Sequence, residues 1–240
     1  MKPEQFHTPQ PETQEVEPKN ITLRAFLLSS NSDLPEELKE QLEKLSGSSR
    51  EKLNEFKKGN KKYKLLNPEE KSGYSEAIMN IAAINHLRDE LDGNDYSAVL
   101  VVGQEESGTI SAFTTAYFKK VQYGRKLAED EYIEAEDDYI RVDPQHRRKG
   151  LGKMMLAIRN RMLFQQGIKR YKTSLTTASY GMYQRLQSEG SVSFDTLDDK
   201  PLTGIAKLRV YIKGDELQNL FSNLNLNFEQ NPNEPYKANL

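Results

Sequence analysis

Apolar residues along the chain fall into short alternating runs and longer stretches at helical spacing, and the two kinds succeed one another in blocks. Ile21, Leu23, Phe26 and Leu28 supply most of an alternating face and predict a strand over Ile21 to Leu28. Leu34, Leu38, Leu42 and Leu45 then share one helical face behind Pro35, Glu36 and Glu37, with Gly47 as the expected end and a short helix carrying Leu53 and Phe56 after it. Pro68 to Leu91 predicts a further helix on the stripe Ala77, Ile78, Ile81, Ala82, Ile84, Leu87 and Leu91, stopped by Asp92-Gly93-Asn94.

Buried strands are predicted at Tyr96 to Val102 and Thr109 to Phe118, joined by a turn at Gln104 to Gly108. After a polar connection, Glu131 to Val142 predicts a fourth strand that breaks at Pro144. Leu151, Met154, Met155, Ile158, Met162 and Leu163 then mark a helix ending at Gly167. Ile168 to Thr176 predicts a fifth strand and Ser179 to Glu189 a helix. Val192 to Leu197 and Ile205 to Ile212 form a closing pair around a DDKPLTG turn. The expected architecture is α/β: one domain with a mixed, mostly antiparallel sheet of six to seven strands, flanked by helices and enlarged by a helical region between the first two strands.

Composition changes this picture at the ends. Residues 1–20 are rich in Pro, Glu and Gln with little to bury and read as a disordered tail, and 214–240 form a polar C-terminal tail in which Asn223 to Leu240, rich in Asn and Pro, read as disordered, leaving a domain at 21–213. Hydrophobic residues make up only 36% of 240, in keeping with loosely ordered ends. The net charge of -2 offers no field to attract nucleic acid, which is disfavoured as a partner. Without cysteine there is no disulfide framework, thiolate nucleophile or Cys-based metal site, and His7, His86 and His146 form no ligand pattern, so no metal is expected. With neither a secretory leader nor an apolar run long enough for a membrane, the expected location is the cytoplasm, or a host cell reached without a cleaved signal. Lys57 to Lys64 holds five lysines in eight positions; such a run is more often a solvated face than a phosphate or partner site.

Chemistry concentrates in DYIRVDPQHRRKGLGKMMLAIRNRMLF, residues Asp138 to Phe164. A strand that feeds a helix through a basic, glycine-containing turn gathers unpaired backbone N–H groups at the positive end of the helix dipole, which favours an anion. Gly150 and Gly152 let that anion approach the backbone, and Arg147, Arg148 and Lys149 add mobile positive charge. The bland account is a solvated glycine turn. No G-x-x-x-x-G-K-[ST] loop and no G-x-G-x-x-G fingerprint is present.

Val142, Pro144, Arg147, Gly150 and Gly152 fit V-x-P-x-x-R-x-x-G-x-G, which resembles the pyrophosphate-binding motif of the GNAT superfamily of acyl-CoA-dependent N-acetyltransferases. The predicted element order over Ile21 to Lys213 is also that of the GNAT fold. The resemblance implies that acetyl-CoA is the co-substrate and that Ile140, Arg141, Val142, Arg147, Arg148, Lys149, Gly150, Leu151, Gly152 and Lys153 bind it. It also implies direct transfer to an amine, with a backbone N–H near Val142 stabilising the thioester oxygen where the fourth and fifth strands splay.

In the histone-acetylating branch a glutamate of the fourth strand is the base, and Glu136 matches its spacing to Arg147. Glu134, Glu136 and Asp138 would share a face of a regular strand, although acidic alternation is equally a feature of solvated sheets. For the acid, Met182-Tyr183 and Arg185 match L-Y and K of the family's following helix, so the resemblance assigns Tyr183, with Tyr180 as competitor and a core tyrosine as the structural alternative. Thr176 stands where the family has Asn, and SEGSVSF replaces its compact G-F ending. His86 has no identifiable partner in the sequence and reads as a packed or exposed imidazole.

Acidic residues between Glu129 and Asp138 favour a cationic acceptor: a protein lysine or N-terminus, a polyamine or another small amine. Two other readings fit the same motif, an acyl-CoA-binding or interaction protein without turnover, and a secreted or phage effector that acetylates a host protein.

Overall fold

The computed structural model describes residues 21–30, 33–59, 63–93, 95–119, 134–197, 205–213 and 236–239. The expected N-terminal tail, the polar connection before the fourth strand, the DDKPLTG turn and most of the C-terminal tail lie outside the described residues. No helix among those described is long and apolar enough to cross a membrane.

One sheet of eight strands forms the middle layer. In chain order the elements are β1 (Ile21–Leu28), α1 (Glu36–Lys58), α2 (Pro68–Asp92), β2 (Tyr96–Glu105), β3 (Ile110–Lys119), β4 (Glu134–Val142), α3 (Leu151–Gln165), β5 (Arg170–Thr176), α4 (Thr177–Ser188), β6 (Val192–Thr196), β7 (Ile205–Ile212) and β8 (Tyr236–Asn239). Across the sheet the order is β6-β7-β5-β4-β3-β2-β1-β8. The β4–β5 pair is parallel, joined through α3, and the other pairs are antiparallel.

Side-chain alternation splits the core into two layers. Ile21, Leu23 and Ala25 of β1, with Val99 and Val101 of β2, pack under α3 and α4. Phe26 and Leu28, with Ala98, Leu100 and Val102, pack under α1 and α2. Because both faces of β2 are covered, its sequence is a continuous apolar run rather than an alternating one.

Two expectations change. Gly47 does not end a helix: α1 runs through it to Lys58, since Ser46 and Ser49 on either side are buried and Ser49 Oγ accepts a 3.2 Å hydrogen bond from Asn80 Nδ2 of α2. That packing offsets the roughly 1 kcal/mol that a glycine costs inside a helix. The C-terminal tail contributes β8, which pairs with β1 from Thr22↔Asn239 to Ala25↔Tyr236, so the sheet gains an edge strand that polar composition concealed.

Candidate active site

Parallel pairing between β4 and β5 covers only Glu134–Glu136 against Arg170–Lys172. Beyond Glu136, β4 stays with β3 and β5 stays with β7, so a wedge opens toward the C-terminal ends of both strands. The register of β4 against β3 also slips there: Thr115 faces Tyr139 while Ala116 faces Asp137, which leaves Asp138 as an extra residue. This β-bulge breaks the regular alternation expected for Glu134, Glu136 and Asp138, and bulges of this kind bend a strand away from its neighbour. After the bulge Tyr139 packs toward α1 and α2, while Ile140 and Val142 pack toward α3 and α4.

At the wide end of the wedge, a short turn over Pro144–His146 leads into α3. Gly150 caps that helix with φ 84°, and Arg148 also has positive φ at 63°. The first helical bond runs from Met154 N–H to Gly150 O at 3.1 Å. Among the described residues the amides of Arg148 to Lys153 therefore donate to no backbone acceptor, and they gather at the helix N-terminus. A Cβ on Gly152 would lie 3.4 Å from Met182 Sδ, 3.5 Å from Val142 Cγ2 and 3.6 Å from Ile140 Cδ1, so Gly152 borders the gap between β4 and α4. Leu151 is buried in the core beneath the loop.

The cations expected to hold an anion divide into two groups. Arg148 and Lys149 are exposed and, among the described residues, make no ion pair. Lys153 bonds Glu189 at 2.6 Å. Arg147 donates from Nε to Val142 O at 2.8 Å and reaches Glu76 of α2 at 3.4 Å. Arg141 is buried, donates to Ile110 O at 3.3 Å, pairs with Asp143 and lies 3.3 Å from the same Glu76. Glu76 thus ties α2 to both ends of the strand-to-loop passage. His146, also buried, meets Glu105 at 3.1 Å, and Glu105 accepts from Ser111 Oγ at 2.7 Å. Burial pushes the Asp143 carboxyl up from its ordinary range, against the opposing pull of Arg141. Tyr139, whose hydroxyl donates to Asn80 Oδ1 at 3.3 Å, is pushed up to about 12 by burial.

Glu136 and Tyr183 lie on opposite faces of the sheet. Glu136 is exposed, and its partner on β3 is Tyr117, which faces α1 and α2. His86 of α2 stacks on Tyr117 with ring centroids 4.6 Å apart and bonds Glu90 at 3.1 Å, so the histidine has partners that the sequence did not reveal. Tyr183 is fully buried in the other layer. Its oxygen accepts from Tyr171 Oη at 3.3 Å and lies 3.5 Å from Arg159 Nη2, while Tyr171 sits opposite Ala135 at the narrow end of the wedge. Tyr180, the competitor, is half-buried against Phe194.

Sequence reading missed Glu76 and Arg159. Arg159 is fully buried, donates to Thr114 Oγ1 at 3.1 Å and lies over the Tyr171 ring at 4.8 Å. The available signal was a charged residue at helical spacing with Met155, Met162 and Leu163, where only core was expected.

The match to a family model settles the kinship of this architecture: the acetyltransferase (GNAT) family model covers residues 63–187, over half of the chain. The chain belongs to the GNAT family. Acyl transfer is the chemistry of that family, and the matched segment runs from the start of α2 through α4, enclosing the wedge and the loop. Among solved structures, the CoA-dependent acyl-homoserine lactone synthase BjaI, solved with S-adenosylmethionine and isopentyl-CoA, is 17% identical with a TM-score of 0.50, covering 85% of this chain and 90% of its own. The ribosomal-protein-S18-alanine N-acetyltransferase of Escherichia coli is 19% identical with a TM-score of 0.35, covering 54% of this chain and 76% of its own. At these identities the likeness concerns the fold. No curated protein matches the chain.

Proposed function

We propose that this GNAT member is an N-acetyltransferase that moves an acetyl group from acetyl-CoA directly to a primary amine on a cationic acceptor. The observation that carries this reading is the parting of β4 from β5 after Glu136, with its wide end beside the amides of Arg148 to Lys153, which donate to no backbone acceptor among the described residues. A pyrophosphate suits those amides, with Arg148 and Lys149 at hand to bind it, and the clearance at Gly152 suits a narrow chain running along β4. Arg147, Arg141 and Lys153 take part as well, chiefly by bracing the loop through Glu76, Asp143 and Glu189. Ile140, Val142 and Leu151 supply apolar contact and the fixed backbone behind it.

Acetyl-CoA, when bound, supplies an acyl group activated as a thioester. The chain's residues do the rest. Glu136, exposed on the α2 side, takes the proton from the incoming ammonium, directly or through water. Backbone N–H groups of β4 past the bulge hydrogen-bond the carbonyl oxygen as it gains charge. Tyr183, on the other face, gives its proton to the departing thiolate, and the donors around its oxygen stabilise the charge it acquires.

The test combines calorimetry of coenzyme A binding with turnover on a panel of primary amines. Glu136→Gln should keep coenzyme A affinity and lose about 100-fold or more in turnover, the usual contribution of a positioned base. Near-normal turnover would remove Glu136 from the role, and absence of coenzyme A affinity would end the reading.

A further inference from the structure

On the α1/α2 side of the sheet, among the described residues, the helices pack as far as β4. Lys172 and Ser174 of β5, Lys207 of β7 and Asp195 of β6 are exposed on that face, while Leu208 and Val210 are buried on the other. The acceptor side of the wedge is therefore a step, with α2 and its His86–Tyr117 stack as the wall and β5, β7 and β6 as the floor. Register lays one row of charge across the step. Glu136 pairs with Lys172, Lys172 with Arg209, and Arg209 with Asp195. Directly paired residues share a face, and neighbouring strands lie about 4.8 Å apart. From the wedge outward the row reads negative, positive, positive, negative.

Resting on the transfer reading above, and narrowing its cationic acceptor to one whose ammonium is accompanied by an anion, we infer that the acceptor also carries a carboxylate or phosphate one to two strand spacings from its nitrogen, held by Lys172 and Arg209. The ammonium over Glu136 accounts for the first charge of the row, and an anion about 5–10 Å away complements the next two. A polyamine would set its second ammonium against Lys172, so it is disfavoured. Lys172 and Arg209 already hold interactions within the chain, which the acceptor's anion would exchange for its own. Arg209 can grip either anion with two parallel hydrogen bonds, whereas Lys172 offers a point charge.

The experiment compares three acceptors on one skeleton: an ω-amino carboxylate, the matching aminoalkyl phosphate and the matching neutral amino amide. With acetyl-CoA saturating, KM for at least one charged acceptor should be about tenfold below that of the amide, the scale of a charge-assisted hydrogen bond, and the better arm identifies the anion. The Lys172→Gln/Arg209→Gln double variant should erase that difference, bringing KM for the charged acceptors to that of the amide measured in the same variant. Lys207→Gln, one row away, should preserve it. Equal KM values for all three acceptors, or loss of the preference in Lys207→Gln alone, would overturn the inference. Calorimetric affinity of the three for the chain loaded with coenzyme A reads the same preference without turnover. Selective binding without transfer would fault the transfer reading and sustain the acceptor class, and transfer without selectivity would do the reverse.

Discussion

The two glycines of the loop serve different purposes, and substitution separates them. Gly150 has open space around it but a φ of 84°, so its requirement is conformational. Gly152 has no unusual backbone angle, and an added Cβ would make ordinary contacts with Met182, Val142 and Ile140. Gly152→Ala should therefore fold with a Tm within a degree or two of the parent while its methyl narrows the gap between β4 and α4. Coenzyme A affinity, measured by calorimetry, is expected to fall at least tenfold. Unchanged affinity would move the cofactor's path away from this gap. The contrast also marks what was legible: the motif's spacing located both glycines, but which one provides clearance depends on Met182, thirty positions on. Arg147 teaches the same lesson, since its link to Glu76 spans a sequence separation that no local pattern reports.

Elements were legible where the information that makes them is local. The start of α2 is an example: the Asn67 side chain accepts from Glu70 N–H at 2.8 Å, the Glu70 carboxylate accepts from Asn67 N–H at 3.0 Å, and Pro68 opens the first turn. Asn67→Ala should cost about 1 kcal/mol, read as a lower denaturant midpoint with unchanged slope. Because Glu76 and Asn80 of the same helix hold Arg141 and Tyr139, a helix frayed at its start also loosens the support of β4. Elements were illegible where a distant partner decides. Gly47 looks like a stop until Ser49 meets Asn80, and the bulge at Asp138 cannot be seen in an acidic alternation that continues through it. That bulge sits where β4 leaves β5, at the wedge on which the proposed chemistry depends.

At the scale of the molecule, the sheet separates stability from chemistry by distance. The wedge lies between β4 and β5, whereas β8 pairs with β1 at the far edge, with β2 and β3 between. β8 satisfies backbone groups of Thr22 to Ala25 that would otherwise form an open edge, which invites pairing with other chains. Removing residues 214–240 should therefore lower stability by about 1–4 kcal/mol, from four cross-strand pairs at about 0.2–1 kcal/mol each. In a domain of this size that corresponds to a fall in Tm of several degrees, and light scattering should report greater self-association. Coenzyme A affinity should stay within about twofold of the parent, since β3, β2 and β1 stand between β4 and β8 in the sheet. A tenfold change in affinity after truncation would mean that the C-terminal segment reaches the site as well as the sheet edge. An unchanged Tm would mean that the β1 edge is protected by something other than β8.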